Sequence, residues 1–113
     1  MHEMSIALNI IDIVREEALR AEAKSVNIIE VEIGSISGVE IPALEFAFET
    51  AVKDTPLEKT QFKIIHVQAI AQCKECNSTY PLSTFFEPCP TCSALKINII
   101  CGKELQIKSI NVE

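Results

Sequence analysis

Apolar side chains near the start of the chain recur every three or four residues. Between residues 6 and 23 they form one stripe, and charged side chains such as Glu16 and Arg20 lie on the other side. This spacing predicts an amphipathic helix. Ser5 is the predicted N-terminal cap, because a serine hydroxyl accepts a hydrogen bond from the first turn. The stripe contains Ala7, Ile10, Ile11, Val14, Ala18 and Ala21.

The pattern then changes from a helical period to alternation. Residues 25–34 alternate apolar and acidic side chains from Ile29 to Ile33, which predicts a strand with one buried face. Pro42 suits the first turn of a second helix, since that position needs no intrahelical N–H donor. The apolar stripe of this second helix predicts that one of its faces is buried. The helix should end near residue 54. The stripe contains Leu44, Ala47, Phe48, Ala51 and Val52.

Three further segments have the composition of strands: residues 60–72, 96–101 and 104–112. The order is helix, strand, helix, strand, a cysteine-containing segment, and two strands. This order predicts an α+β fold, a small β-sheet with both helices packed on one face. The cysteine segment is predicted to extend from the ends of two strands.

Four cysteines form two Cys-x-x-Cys pairs, Cys73 with Cys76 and Cys89 with Cys92. Two intervening residues allow a tight turn that points both sulfurs into one small volume. Two such turns supply four thiolates in a tetrahedron, a ligand set that suits a structural Zn²⁺ ion. We therefore predict a zinc-ribbon-like zinc domain at residues 73–95, inserted into a domain formed by residues 1–72 and 96–113.

Disulfides and a redox Cys-x-x-Cys are the alternatives for these cysteines. A redox motif needs only one pair, and it normally opens a helix after a strand. Pro88 and Pro90 flank Cys89, which disfavours a helix there. The fifth cysteine, Cys101, is expected to behave as a small buried hydrophobic residue.

Composition limits the classes of partner. The net charge of −6 argues against a nucleic-acid surface, which needs clustered Lys and Arg. The apolar runs are too short to span a bilayer, and no signal peptide is evident. An odd number of cysteines favours a reducing compartment, so we expect a cytoplasmic protein without membrane partners.

The first three residues form a second candidate metal site. The α-amine of Met1, backbone amides and the imidazole of His2 can converge on one ion, and Glu3 can add an oxygen. Such nitrogen donors favour square-planar Ni²⁺ or Cu²⁺. The alternative is a frayed terminus with a solvated histidine. The other histidine, His66, is expected to be an ordinary strand residue.

The sequence resembles the HypA/HybF family of hydrogenase nickel-incorporation proteins along essentially its whole length. The matching motifs are Met1-His-Glu-Met-Ser5, Val31-Glu-Ile-Gly34, Ser37-Gly-Val-Glu40, the two cysteine pairs, and the ending from Gly102 to Glu113.

The resemblance implies a nickel metallochaperone, not an enzyme. It implies Ni²⁺ at Met1 and His2, with Glu3 as an additional ligand and Glu40 nearby as a further contributor. It also implies structural Zn²⁺ at Cys73, Cys76, Cys89 and Cys92. It implies delivery, with a HypB-type GTPase, to the large subunit of [NiFe]-hydrogenase, and in some bacteria service to urease. Exchange of the zinc segment between two chains would give a homodimer.

Two features depart from that family. Ser93 follows the last zinc cysteine where many members have glycine, which should alter the turn without removing a ligand. The zinc segment also lacks the histidine that assists nickel in some relatives, since the histidines here are His2 and His66. A zinc-ribbon adaptor for protein or nucleic acid is the alternative function, and a thiol-redox enzyme is a third.

Overall fold

The computed structural model describes residues 3–85 and 87–113, and these residues form two helices and six strands. The elements are α1 Glu3–Arg20, β1 Val26–Gly34, α2 Ile41–Val52, β2 Gln61–Val67, β3 Ile70–Cys73, β4 Thr79–Pro81, β5 Ile97–Cys101 and β6 Leu105–Val112. The predicted α+β class, with two helices and a four-cysteine cluster, is confirmed.

The strands form two three-stranded sheets, in the orders β2-β1-β6 and β4-β3-β5, where one small sheet was expected. The predicted strand 60–72 is interrupted at Gln68 and Ala69. The Ala69 N–H donates to the Ser35 hydroxyl (2.9 Å), and its carbonyl accepts from the Leu82 N–H (2.9 Å). The segment beyond Ala69 therefore pairs as a separate strand, β3, in the second sheet.

The chain divides into two compact units. Unit 1 comprises the described part of residues 1–31, together with residues 39–64 and 107–113. Unit 2 comprises residues 32–38 and 65–106. The sequence predicts different boundaries: one domain of residues 1–72 and 96–113, and a zinc-binding insert of residues 73–95. That division describes which parts fold independently, and it stays a prediction.

The helices of unit 1 pack against each other along their apolar stripes. The stripe of α1 is buried through its first three turns, whereas Ala18 is half-buried and Ala21 is exposed beyond the helix end. Pro42 lies in the first turn of α2, as predicted. The buried residues are Ile6, Ala7, Ile10, Ile11 and Val14 of α1, and Leu44, Ala47, Phe48 and Val52 of α2.

The capping role predicted for Ser5 is wrong. The helix begins two residues earlier, at Glu3, and Ser5 lies exposed within it. A carboxylate in the first turn is favourable, because the unpaired N–H groups there carry partial positive charge. Glu3 therefore places a negative charge in the first turn, and its carboxylate accepts a hydrogen bond from the Glu40 N–H.

Unit 2 has a separate hydrophobic cluster, to which two of the four paired cysteines belong. Strands β4 and β5 both pair antiparallel with β3, so that Ala71 lies opposite Tyr80 on one side and Ile99 on the other. The cysteines are thus part of the core of this unit. The buried cluster is Ile36, Ala69, Ala71, Cys73, Tyr80, Leu82 and Cys89.

Two glycines allow a close backbone approach in unit 2. A Cβ on Gly34 would lie 1.9 Å from the carbonyl oxygen of Gly102, so only glycine fits there. The Gly102 carbonyl accepts from the Ile36 N–H (3.0 Å), and the Gly34 N–H donates to the Glu104 carbonyl (2.8 Å). A side chain at Gly34 would break this paired geometry.

Gly34→Ala is expected to destabilise the protein by roughly 3 kcal/mol, the upper range for overpacking, because backbone atoms must move. Gly38→Ala is the matched control. It meets no atom within 4 Å and has φ +83°, so it should cost only about 1 kcal/mol of backbone strain. Urea unfolding of both variants provides the measurement, and equal losses would contradict the close-approach explanation.

Candidate metal centre

Four cysteine sulfurs converge in unit 2. The Sγ atoms of Cys73, Cys76, Cys89 and Cys92 all lie within 4.8 Å of one another. The Cys73–Cys92 sulfur distance is 3.5 Å and the Cys76–Cys89 distance is 3.7 Å. All four are free thiols, so the disulfide alternative is not what this geometry shows.

These distances fit a tetrahedral zinc site. Zn–S bonds of about 2.3 Å in a tetrahedron place the sulfurs about 3.8 Å apart. The donor set is also appropriate, because four soft thiolates select zinc over magnesium or calcium. The four residues would bind Zn²⁺ through four protein ligands, which leaves no coordination position for a substrate.

The two cysteine turns repeat one backbone pattern. In the first, the Asn77 N–H donates to the Cys73 carbonyl (3.0 Å), and the Cys73 N–H donates to the Ser78 carbonyl (2.9 Å). In the second, the N–H of residue 93 donates to the Cys89 carbonyl (2.8 Å), and the Cys89 N–H donates to the carbonyl of residue 94 (2.9 Å). This repeat explains why a sequence spacing of two residues brings each pair together.

Each turn is fixed to neighbouring structure within the unit. The Lys74 N–H donates to the Lys96 carbonyl (2.9 Å), which joins the first turn to the start of β5. The Tyr80 hydroxyl donates to the Glu87 carbonyl (3.1 Å), which holds the segment leading to Cys89. The first cysteine of each turn is buried and the second is exposed. The sulfurs are therefore positioned by backbone contacts and by core packing.

The thiols differ in acidity because their neighbours differ. The Ser78 hydroxyl, 3.3 Å from the Cys76 sulfur, and the Ser78 backbone lower the pKa of Cys76 to about 6. The Ala94 N–H lowers the pKa of Cys92. The neighbouring Cys73 and burial have the larger opposite effect, and together they raise this pKa to about 12. The thiols therefore do not ionise equally, and a bound cation would favour deprotonation of all four. The role of Ser78 was not predicted from the sequence, although a hydroxyl residue two positions after Cys76 could have indicated a hydrogen bond to its sulfur.

Residue 93 occupies the position in the second turn that Asn77 occupies in the first, and both have φ 63°. Ser93→Gly is expected to tighten zinc binding two- to fivefold, about 0.5–1 kcal/mol, because glycine removes the left-handed strain. Competition with a chromophoric chelator measures the affinity. Asn77→Gly is the control and should gain less, since asparagine tolerates this conformation. Unchanged or weaker binding by Ser93→Gly would show that the turn is not strained.

The predicted terminal site is only partly within the described residues. Met1 and His2 lie outside them. Glu3 is half-buried as the first residue of α1, and its carboxylate accepts a hydrogen bond from the Glu40 N–H at 3.4 Å. Glu40 is exposed, and its backbone N–H is the group that contacts Glu3.

The two remaining candidates lie elsewhere on the strands. His66 is exposed on β2. Cys101 is half-buried at the end of β5, less than expected, and its thiol donates to the Gln68 carbonyl at 3.3 Å. Among the described residues, the four paired cysteines are the one group of three or more potential metal ligands that come together.

Comparison with known proteins decides the family. A family model described as hydrogenase/urease nickel incorporation, metallochaperone, hypA, matches residues 1–112. This chain belongs to the HypA family. This match confirms the resemblance predicted from the sequence. HypA proteins are metallochaperones and not enzymes.

Two HypA relatives illustrate the similarity. The hydrogenase maturation factor HypA of Parabacteroides distasonis is 42% identical over 113 residues, covering 100% of this chain and 98% of its own. The factor of the same name from Chlorobaculum parvum is 39% identical and covers 100% of both chains. A role related to hydrogenase maturation therefore applies to this HypA protein.

Solved structures agree on the HypA fold. The solution structure of the Ni metallochaperone HypA from Helicobacter pylori has a TM-score of 0.69 at 23% identity, covering 99% of this chain and 97% of that chain. A second solution structure of a HypA protein has a TM-score of 0.72 at 23% identity, covering 100% of this chain and 97% of its own. Within the described part of this HypA chain, neither helix has the length and apolarity needed to cross a bilayer.

Proposed function

We propose that this protein binds Ni(II) at its N-terminus and delivers it, with a HypB-type GTPase, to the large subunit of [NiFe]-hydrogenase during maturation. The ligands are the α-amine of Met1, the backbone amide and imidazole of His2, and Glu3. Membership of the HypA family supports nickel as the cargo and hydrogenase maturation as the context. Five free thiols are consistent with a cytoplasmic protein.

The observation that carries this proposal is the start of α1 at Glu3. The first four N–H groups of a helix have no intrahelical partner. Amides at this point can therefore lose their protons to a metal without breaking the helix. The first turn of α1 also carries the Glu3 carboxylate, which the Glu40 N–H contacts.

The Glu3 carboxylate offsets an electrostatic cost of this location. A helix N-terminus carries a partial positive charge, which disfavours a dication. Glu3 brings a negative charge to the same turn, and the Glu40 N–H holds it there at 3.4 Å. Glu40 adds a second carboxylate on an exposed residue. Two carboxylates near the terminus favour entry of a cation from solvent.

A site of this type binds and releases its cargo by acid–base chemistry. An α-amine ordinarily titrates near pH 8, and amide nitrogens bind metal only when deprotonated. Protonation of these donors releases the ion, and a site at the end of the chain lets a partner's ligands approach the metal directly. Energy coupling must come from the partner GTPase, because this sequence has no G-x-x-x-x-G-K-[ST] phosphate loop.

We assign a structural role to zinc at Cys73, Cys76, Cys89 and Cys92. A bound zinc ion there would cross-link two turns whose second cysteines, Cys76 and Cys92, are exposed. Cys73 and Cys89 also belong to the buried cluster of unit 2, so the ion would stabilise that core. Because the four thiolates close the coordination sphere, the cargo must bind elsewhere.

The nickel ligands can be identified by spectroscopy. X-ray absorption at the nickel edge of untagged, zinc-loaded protein should show nitrogen and oxygen donors without sulfur. The zinc edge should show four sulfur donors in the same sample. Nickel surrounded entirely by sulfur would overturn the terminal site.

A further inference from the structure

A cavity of about 220 Å³ lies in unit 1 at the C-terminal end of α1. Val26 and Leu57 line it, and they are 8% and 4% exposed. Ala18 and Ala23 also line it, and both are half-buried. The cavity exists because these alanines are small: larger residues at either position would fill the space. We call it the α1 cavity.

The α1 cavity has a positive edge on an acidic protein. Arg15 and Lys24 line it, and none of its lining residues carries a carboxylate. The whole chain has a net charge of −6, so this local excess of positive charge is unusual. Within residues 3–85 and 87–113, neither Arg15 nor Lys24 forms an ion pair; the one found joins Arg20 to Glu17.

The apolar surface continues from the cavity along α1. Leu19 lines the cavity and is 80% exposed. Met4 and Leu8 are 40% and 49% exposed. With 3.6 residues per turn, these three positions and Arg15 fall within about 60° of one another around the helix. One exposed face of α1 therefore combines apolar side chains with a positive charge and ends at the cavity.

We propose that the α1 cavity docks an acidic peptide segment of a partner protein, which inserts one leucine- or phenylalanine-sized side chain. The segment's carboxylates pair with Arg15 and Lys24. The volume supports this occupant, because pockets for whole small molecules are about 300–1,000 Å³. A buried apolar anchor with charged pairs at its rim is a common arrangement in protein interfaces.

This docking site is separate from the proposed nickel ligands. Leu19 lies sixteen residues beyond Glu3 on the same helix, which corresponds to about 24 Å along its axis. A partner held by the α1 cavity would leave the terminal residues free. Failure of the docking proposal would therefore not affect nickel binding, and failure of the nickel site would not affect docking.

The test uses full-length, untagged, zinc-loaded protein and the peptide acetyl-Glu-Glu-Leu-Glu-Glu-amide. In two-dimensional ¹⁵N–¹H NMR titrations at low salt, saturable shifts are expected at Ala18, Leu19, Ala23 and Leu57. A peptide with glutamine in place of every glutamate should bind at least about tenfold more weakly. A peptide with alanine in place of leucine should also lose most of its affinity.

Protein variants complete the test. Lys24→Gln and Arg15→Gln should each weaken binding several-fold, and Ala18→Leu should fill the cavity and abolish it. Lys53→Gln, an equal change of charge on an exposed residue after α2, should bind normally. Shifts mapping to another surface, or equal binding of the glutamine peptide, would overturn the proposal. Concentration-dependent shifts at the same residues without peptide would also overturn it, because the occupant would then be a second copy of the chain.

Discussion

Replacing His2 with alanine is expected to abolish high-affinity nickel binding while zinc content and fold remain unchanged. Changes to residues that merely support a metal ligand cost 10- to 100-fold in affinity, so loss of a ligand should cost on the order of 100-fold or more. Nickel titration of untagged protein, followed by absorption spectroscopy and elemental analysis, measures this. The wild-type protein should bind about one nickel and one zinc per chain.

His66→Ala is the matched control, because it removes the other histidine from an exposed position on β2. It should bind nickel like the wild type. An N-terminal extension that blocks the α-amine should reproduce the His2→Ala result, since it removes a donor without changing any side chain. Tight nickel binding by either the extended protein or His2→Ala would end the terminal-site hypothesis.

Nickel binding should also weaken as pH falls. The α-amine ordinarily titrates near pH 8, and each donor must be deprotonated to bind. Competition between protons and nickel therefore increases steadily below that pH. Affinity that stays constant from pH 8 to pH 6 would show that the amine is not a ligand.

Removal of zinc is expected to destabilise unit 2 strongly. Structural zinc contributes about 10–16 kcal/mol of apparent binding free energy in small zinc domains. Cys73→Ser removes a ligand and leaves a hydroxyl in a position that is 0% exposed. We expect loss of zinc and early protease cleavage within residues 73–95, with hydrogen exchange increasing through the cluster of unit 2. The helices of unit 1 should stay protected.

Cys101→Ser is the control for this change. Its thiol lies outside the four-sulfur cluster and donates to the Gln68 carbonyl, a bond that a serine hydroxyl can also make. This variant should retain zinc and resist protease. Cleavage spread evenly through both units after zinc loss would show that the zinc segment and the helical part do not fold independently.

Local patterns in the sequence predicted most of the elements and the convergence of the four cysteines. The buried stripe of α1 can be predicted from the helical period of its apolar residues alone. The convergence of the four cysteines requires only that each pair form a tight turn. The prediction for residues 60–72 was less successful, because alternation continues smoothly through a position where the strand ends. The hydrogen bonds that end it come from Ser35 and Leu82, which are distant in sequence.

Other features depend on contacts between distant residues. The requirement for glycine at Gly34 comes from the carbonyl of Gly102, sixty-eight positions later. The hydroxyl of Ser78 and the burial of Cys73 and Cys89 set the different environments of the thiols. One wall of the α1 cavity is formed by a loop containing Leu57, which is distant in sequence from α1.

The sequence by itself determined the helices, the convergence of the four cysteines and the HypA family of this protein, because these depend on residue type and on spacing over a few positions. Only the tertiary structure decided the separation into two sheets, the close approach of Gly34 to Gly102, the contact between Glu3 and Glu40, and the charged apolar cavity. Each of these depends on which distant backbone or side-chain atoms come within a few ångströms, and spacing along the chain does not encode those distances.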